Sequence, residues 1–270
     1  MGVHWMMPWL ALPRQWKTAS MEATSVTADG PLFLLDYVLR CLRVALLLSI
    51  WRIVLAGRGP VGGMSLEAVL TYTLVAEAFA SPLGGRTQLI DDLWSGAIVA
   101  RLLQPAGLVG QLVARMLGGW VRELSLFSVP LLLAAPLLGV NPLPAGGPAA
   151  LLFGASLALG VAVGVALDFV MAALMVAWGW NRWDVDRLRA AVGAVLSGAL
   201  LPLSLLPWGL GDVLTWLPFA SQAWVPLSIY TGSGEVLSLL GRQLLWVAVM
   251  WPLARWLWRV NRQKVVIYGG

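Results

Sequence analysis

The chain has 270 residues, 59% of them hydrophobic and 11% charged, with a mean hydropathy of +0.81. These fractions exclude an ordinary soluble domain and identify an all-α polytopic membrane protein. The net charge of +5 does not indicate nucleic acid, because Lys and Arg are dispersed over short loops between apolar runs and form no single basic face.

Residues 1–30 carry Pro8 and Pro13 and then the Ser/Thr/Ala-rich stretch TASMEATSVTADG. No positive region precedes a sustained apolar run there, so a cytoplasmic or interfacial tail is expected instead of a signal peptide. In PLFLLDYVLRCLR, residues 31–43, Asp36, Arg40 and Arg43 recur at i, i+4 and i+7 and leave the rest of the surface apolar. This spacing predicts an amphipathic helix lying on the membrane and leading into the first span; the alternative is that the charges only flank that span. A hydrocarbon core needs roughly 20 residues per helix, which predicts six spans near 44–57, 65–83, 120–140, 149–178, 190–206 and 236–258. They form one transmembrane domain over 31–260, with a cytoplasmic tail at 261–270.

Between the second and third spans lies GGRTQLIDDLWSGAIVARLLQPAG, residues 84–107. If its first half is helical, Leu89, Ile90, Leu93 and Trp94 share one face with Asp91 and Asp92 beside it. An exposed Trp/Leu ridge flanked by acids suits a groove in another protein, whereas a helix lying on anionic lipid would repel the two aspartates. In the fourth span Gly160 and Gly164, with Gly154 and Ala158 before them, make a strip on which another helix can approach closely. Asp168 of the same span is either a structural ion pair, with Arg52 or Arg122 as partner, or a group lining a wet path. Glu77, near the inner end of the second span, is expected to reach water, and Glu67 with Arg242 is expected to form an outer ion pair.

After the fifth span the apolar run is broken by Pro202, Pro207, Pro218 and Pro226 and resumes as a final helix. Within a bilayer such breaks are tolerated only where the freed backbone groups face protein or water, which points to a gate on a transport path. Basic residues mark one side of the membrane: Arg14 and Lys17, then Arg86, Arg101 and Arg115, then Arg182, Arg187 and Arg189, and finally Arg255, Arg259, Arg262 and Lys264. That asymmetry predicts cytoplasmic termini and an outward-facing broken segment.

Several chemistries are excluded. Cys41 is the only cysteine and His4 the only histidine, so no intrachain disulfide, cysteine metal cluster or intramembrane His-based site is available. Neither lysine follows a glycine, so the chain has no phosphate-binding loop.

In order, the amphipathic segment, two spans, IDDLWSGAIVARLLQP, two more spans, SGALLPLSLLP, LPFASQAWVP and a basic tail ending in YGG resemble the permease subunits of type-2 ATP-binding-cassette exporters, the drug- and polysaccharide-export group. The resemblance covers most of residues 31–270. It implies six spans per subunit and two permeases per transporter, identical or different, in a bacterial cytoplasmic membrane. It also implies two cytoplasmic ATPase subunits that bind ATP and Mg, with no cofactor on this chain. In such permeases a coupling helix contacts the ATPase, here Leu89, Ile90, Asp91, Asp92, Leu93, Trp94, Gly96 and Arg101. An outward re-entrant segment closes the extracellular end, here Pro202, Pro207, Pro218, Phe219 and Pro226. The first and fifth spans face the second subunit, which singles out Leu47, Trp51 and Leu196. The expected function is ATP-driven export of an amphipathic or hydrophobic substrate: a drug, lipid, peptide or glycan. The alternatives are an ion-coupled secondary transporter or channel using Asp168, for which no inverted repeat is visible, and a membrane-embedded enzyme, for which the acids are too scattered.

Overall fold

The computed structural model describes residues 30–105 and 107–268, and they are helical apart from turns and one isolated bridge between Val61 and Met64. The expected N-terminal tail lies outside them. Helix α1 spans Gly30–Val54, α2 Leu66–Ala78, α3 Ala80–Gly84, α4 Leu89–Trp94 and α5 Ala97–Leu102. Next come α6, Leu108–Glu123, a π turn over Leu124–Ser128, α7 over Val129–Ala134 and a 3-10 turn over Ala135–Leu138. The long helix α8 covers Gly147–Trp178 and α9 covers Arg182–Leu196. The broken segment supplies a 3-10 turn at Leu203–Leu205, α10 at Leu210–Leu214 and α11 at Trp224–Tyr230, and α12 closes the chain over Val236–Tyr268.

By length and composition three helices can cross a membrane: Leu108–Leu138, Gly147–Trp178 and Val236–Asn261. The third expected span therefore belongs to a helix that starts earlier, at Leu108, and contains the π turn. Pro130 lacks the N–H that an α-helix would return to residue 126, and the turn widens just before it. The fifth expected span is corrected: α9 stops at Leu196, and 197–206 continue as turns around the 3-10 piece. Pro202 bars helix at its own position and disfavours it at Leu201. The amphipathic segment and first span form one helix, α1, with no break between them. Likewise α12 runs through residue 261 into the expected C-terminal tail.

Helix α8 is the axis of the molecule. α12 lies parallel to it, as shown by Ser156–Gln243 near one end and Ala177–Lys264 near the other. One core gathers Val44 and Leu48 of α1, Tyr72 and Leu74 of α2, Phe127, and Leu227 of α11. A second gathers Leu89 and Leu93 of α4, Leu112 of α6, Phe169 and Met175 of α8, Val185 of α9 and Trp258 of α12. Ion pairs tie α1 to its neighbours through Arg40–Glu123 at 2.8 Å and Arg43–Glu77 at 2.9 Å, so Glu77 meets an arginine instead of open water. Arg242 does not pair with Glu67; it lies over the Trp216 ring at 4.5 Å. Trp51 is buried in the first core and is not presented to a second subunit.

Candidate functional site

The segment around α4 is shaped by three local features. The Thr87 hydroxyl accepts from Leu89 N at 3.3 Å and opens the helix. Ser95 returns its hydroxyl to Asp91 O at 2.8 Å, and Gly96, at φ +75°, turns the chain into α5 in a conformation that L side chains avoid.

Leu89, Ile90 and Leu93 do share a face, but it points inward. All three are buried in the second core, and only Trp94, 44% exposed, faces outward. The expected exposed ridge is corrected accordingly: of the four apolar residues of this short helix, three are drawn into the core where α6, α8, α9 and α12 converge. Asp92 is buried as well, set between Arg101 at 2.5 Å and Arg115 at 3.3 Å. Its carboxyl is raised to about 6 by burial, an effect that Arg115 opposes and the neighbouring Asp91 reinforces. Arg101 and Gly96 thus serve the internal structure of the corner. Beside Trp94 the corner exposes Val99, Leu102 and Leu103, which the reading of the sequence missed; their signal was an apolar run too short to be a span.

A second set of charges binds this corner to α9. Arg182 Nε lies 2.9 Å from Asp91 Oδ1, an ionic contact without hydrogen-bond geometry. Arg86 meets Asp186 at 2.6 Å. Beneath them Asp168 accepts Arg189 Nε and Thr87 N, each at 2.5 Å, and Arg189 also donates to Gly164 O at 3.2 Å. Both side chains of the Asp168–Arg189 pair are only 3% exposed. The expected partners of Asp168 are therefore corrected. Arg52 donates to Leu138 O at the far end of the bundle, and Arg189 takes the place given to Arg52 and Arg122.

At the opposite end of α8 the broken segment folds back into the protein. Its prolines divide: Pro202 and Pro226 are buried, Pro218 and Phe219 half-buried, and Pro207 exposed beside Trp208, which is 92% exposed at φ 60°. The freed backbone groups close tight turns, such as Leu205 N to Pro202 O at 3.0 Å and Ser221 N to Pro218 O at 3.2 Å. Gln243 of α12, fully buried, pins the segment: its Nε2 donates to Ser221 O at 2.8 Å and to Ser156 O at 3.0 Å, and its Oε1 accepts the Ser156 hydroxyl at 2.9 Å. Gly160 permits this approach, since a Cβ there would meet Ser221 O at 2.7 Å. The small-residue strip of α8 is thus used internally at Gly160 and, against Gly85, at Gly164; Gly154 and Ala158 are exposed.

A family model described as ABC-2 family transporter protein matches residues 41–269, nearly the whole described chain. The chain belongs to the ABC-2 transporter family. No curated protein and no solved structure matches it. Membership makes it a transmembrane permease of an ABC transporter, a class in which the membrane subunit works with an ABC ATPase. In this ABC-2 chain the candidate site has two parts: the charged corner at α4–α5, and the proline-broken segment pinned by Gln243.

Proposed function

We propose that this chain is the permease subunit of an ATP-driven exporter for an amphipathic or hydrophobic substrate, with the α4–α5 corner docking a cytoplasmic ABC ATPase. The observation that carries this reading is the construction of the corner: a short helix fixed from behind by a buried apolar face and ion pairs, with Trp94, Val99, Leu102 and Leu103 left exposed. A rigid mount with an aromatic anchor suits a surface that receives force from a partner. Two such ATPases, holding ATP and Mg, would serve two permeases, identical or different, in a bacterial cytoplasmic membrane. Six crossings with cytoplasmic termini follow if α1, α2 and the α9-to-205 stretch also traverse the bilayer beside the three long helices, and the broken segment then forms the re-entrant outer gate. The three long apolar helices carry few charges, in keeping with an apolar or amphipathic substrate. The ion-coupled alternative lacks support, because Asp168 is occupied by Arg189 and Thr87.

The test is Trp94→Ala. A central aromatic anchor contributes about 2 kcal/mol, so ATPase affinity for the permease should fall about 30-fold. The thermal midpoint should fall by only a few degrees, because Trp94 is 44% exposed and lies outside the buried core of the corner. Unchanged affinity would remove the corner from the ATPase interface.

A further inference from the structure

We propose that the buried Asp168–Arg189 pair is the strut that makes α9 move with α4, carrying displacement of the corner to the broken segment. This deepens the proposed function and rests on its assignment of α4 as the ATPase-docking helix.

Three observations carry it. First, Asp168 joins the two elements at one carboxylate: Oδ2 accepts from Thr87, two residues before α4, and Oδ1 accepts from Arg189, midway along α9. The outer ring repeats the connection through Arg86–Asp186 and Arg182–Asp91, so three links join the same two segments: two direct ion pairs and the bridge through Asp168 of α8. Second, α9 leads directly to the broken segment. It ends at Leu196, and the next two carbonyls are taken by groups of other elements: Ser197 O accepts Trp224 N of α11 at 2.8 Å, and Gly198 O accepts the Tyr72 hydroxyl at 2.7 Å. Third, both side chains of the pair are sealed from any path. A buried ion pair adds little stability over an apolar pair of the same size, but it holds two elements at a fixed distance and angle. Rigid elements joined in this way are the physical means by which displacement travels between distant sites.

The path therefore runs from Trp94 through Thr87, Asp168 and Arg189 to Ser197 and Trp224. Asp168 and Arg189 are positioning residues, acting through α9 without touching a substrate.

The experiment uses the permease purified with its native ATPase, in a Cys41→Ser background, with a nitroxide at either Ser95→Cys or Val213→Cys, both exposed positions. Each label is followed as ATP and vanadate trap the complex. Without further changes, both labels should respond. In Asp168→Asn/Arg189→Met, which removes both charges together and leaves neither unpaired, the ATPase should still co-purify and the label at 95 should respond as before. The label at 213 should lose most of its response, because the two outer pairs that remain are part-exposed and hold only weakly. Should that variant fail to fold, Arg189→Lys carries the same expectation, since it keeps the charge but loses the planar fork. A full response at 213 in a folded variant would overturn the strut while leaving the docking reading intact. Absence of any ATPase from the unsubstituted complex would overturn both.

Discussion

Around α4 the chain is held by charge, with Asp91, Asp92, Asp168 and Asp186 each set against an arginine, whereas the buried half of the broken segment, 217–230, is held by neutral groups: the Gln243 amide, the Tyr230 hydroxyl and backbone carbonyls. Depth explains the contrast. Asp168 lies 10 residues from the C-terminal end of α8, about 15 Å, with Arg189 as its own counter-charge, while Gly160, against which Ser221 packs, sits near the middle of that helix. A charge at mid-membrane is expensive, and an amide that donates twice and accepts once gives directional contacts without that cost. The lesson is that the two regions should fail under different perturbations.

The largest effect separating them is expected at Gln243. Gln243→Leu leaves Ser221 O and both Ser156 groups without their partner, and unfolding in detergent should show a loss of about 1–3 kcal/mol. A loss that grows with salt would break the assignment of neutral chemistry to this end. Tyr72→Phe removes a single hydroxyl from Gly198 O and should cost about 1 kcal/mol, again independent of salt.

The smallest effect belongs to the charged corner and is visible only against pH. The folded-state value of Asp92, about 6, lies above the usual 3.8, so the native protein holds this proton more tightly than the unfolded chain. The resulting stability is present in full below about 3.8 and is lost as pH rises through about 6. Thermal midpoints should therefore decline from pH 4 to 6 more steeply in the native protein than in Asp92→Asn, with parallel curves above. Parallel curves throughout would show that Arg101 and Arg115 keep the carboxylate charged at all these pH values.

The broken segment was legible in the sequence because four prolines in an apolar run admit few readings, and α4 was legible as a helix because its apolar spacing is helical. What covers a face was not. Spacing shows that Leu89, Ile90 and Leu93 point the same way, but only the convergence of α6, α8, α9 and α12 decides that the direction is inward. The partner of Asp168 was hidden for a similar reason. Arg189 lies 21 residues later, across a tight reversal at Gly179 that brings α9 back beside α8. Gln243 did carry a signal, an amide within the apolar stretch of a long helix, and such a residue is a functional candidate by its position alone.

The most direct test of the account is a photo-crosslinking residue at position 94 of the full permease in its native membrane, with captured partners identified by mass spectrometry. The account predicts an ABC ATPase captured from 94 and not from the same probe at 213. Capture of the ATPase from 213 instead, or of lipid alone from 94, would contradict it.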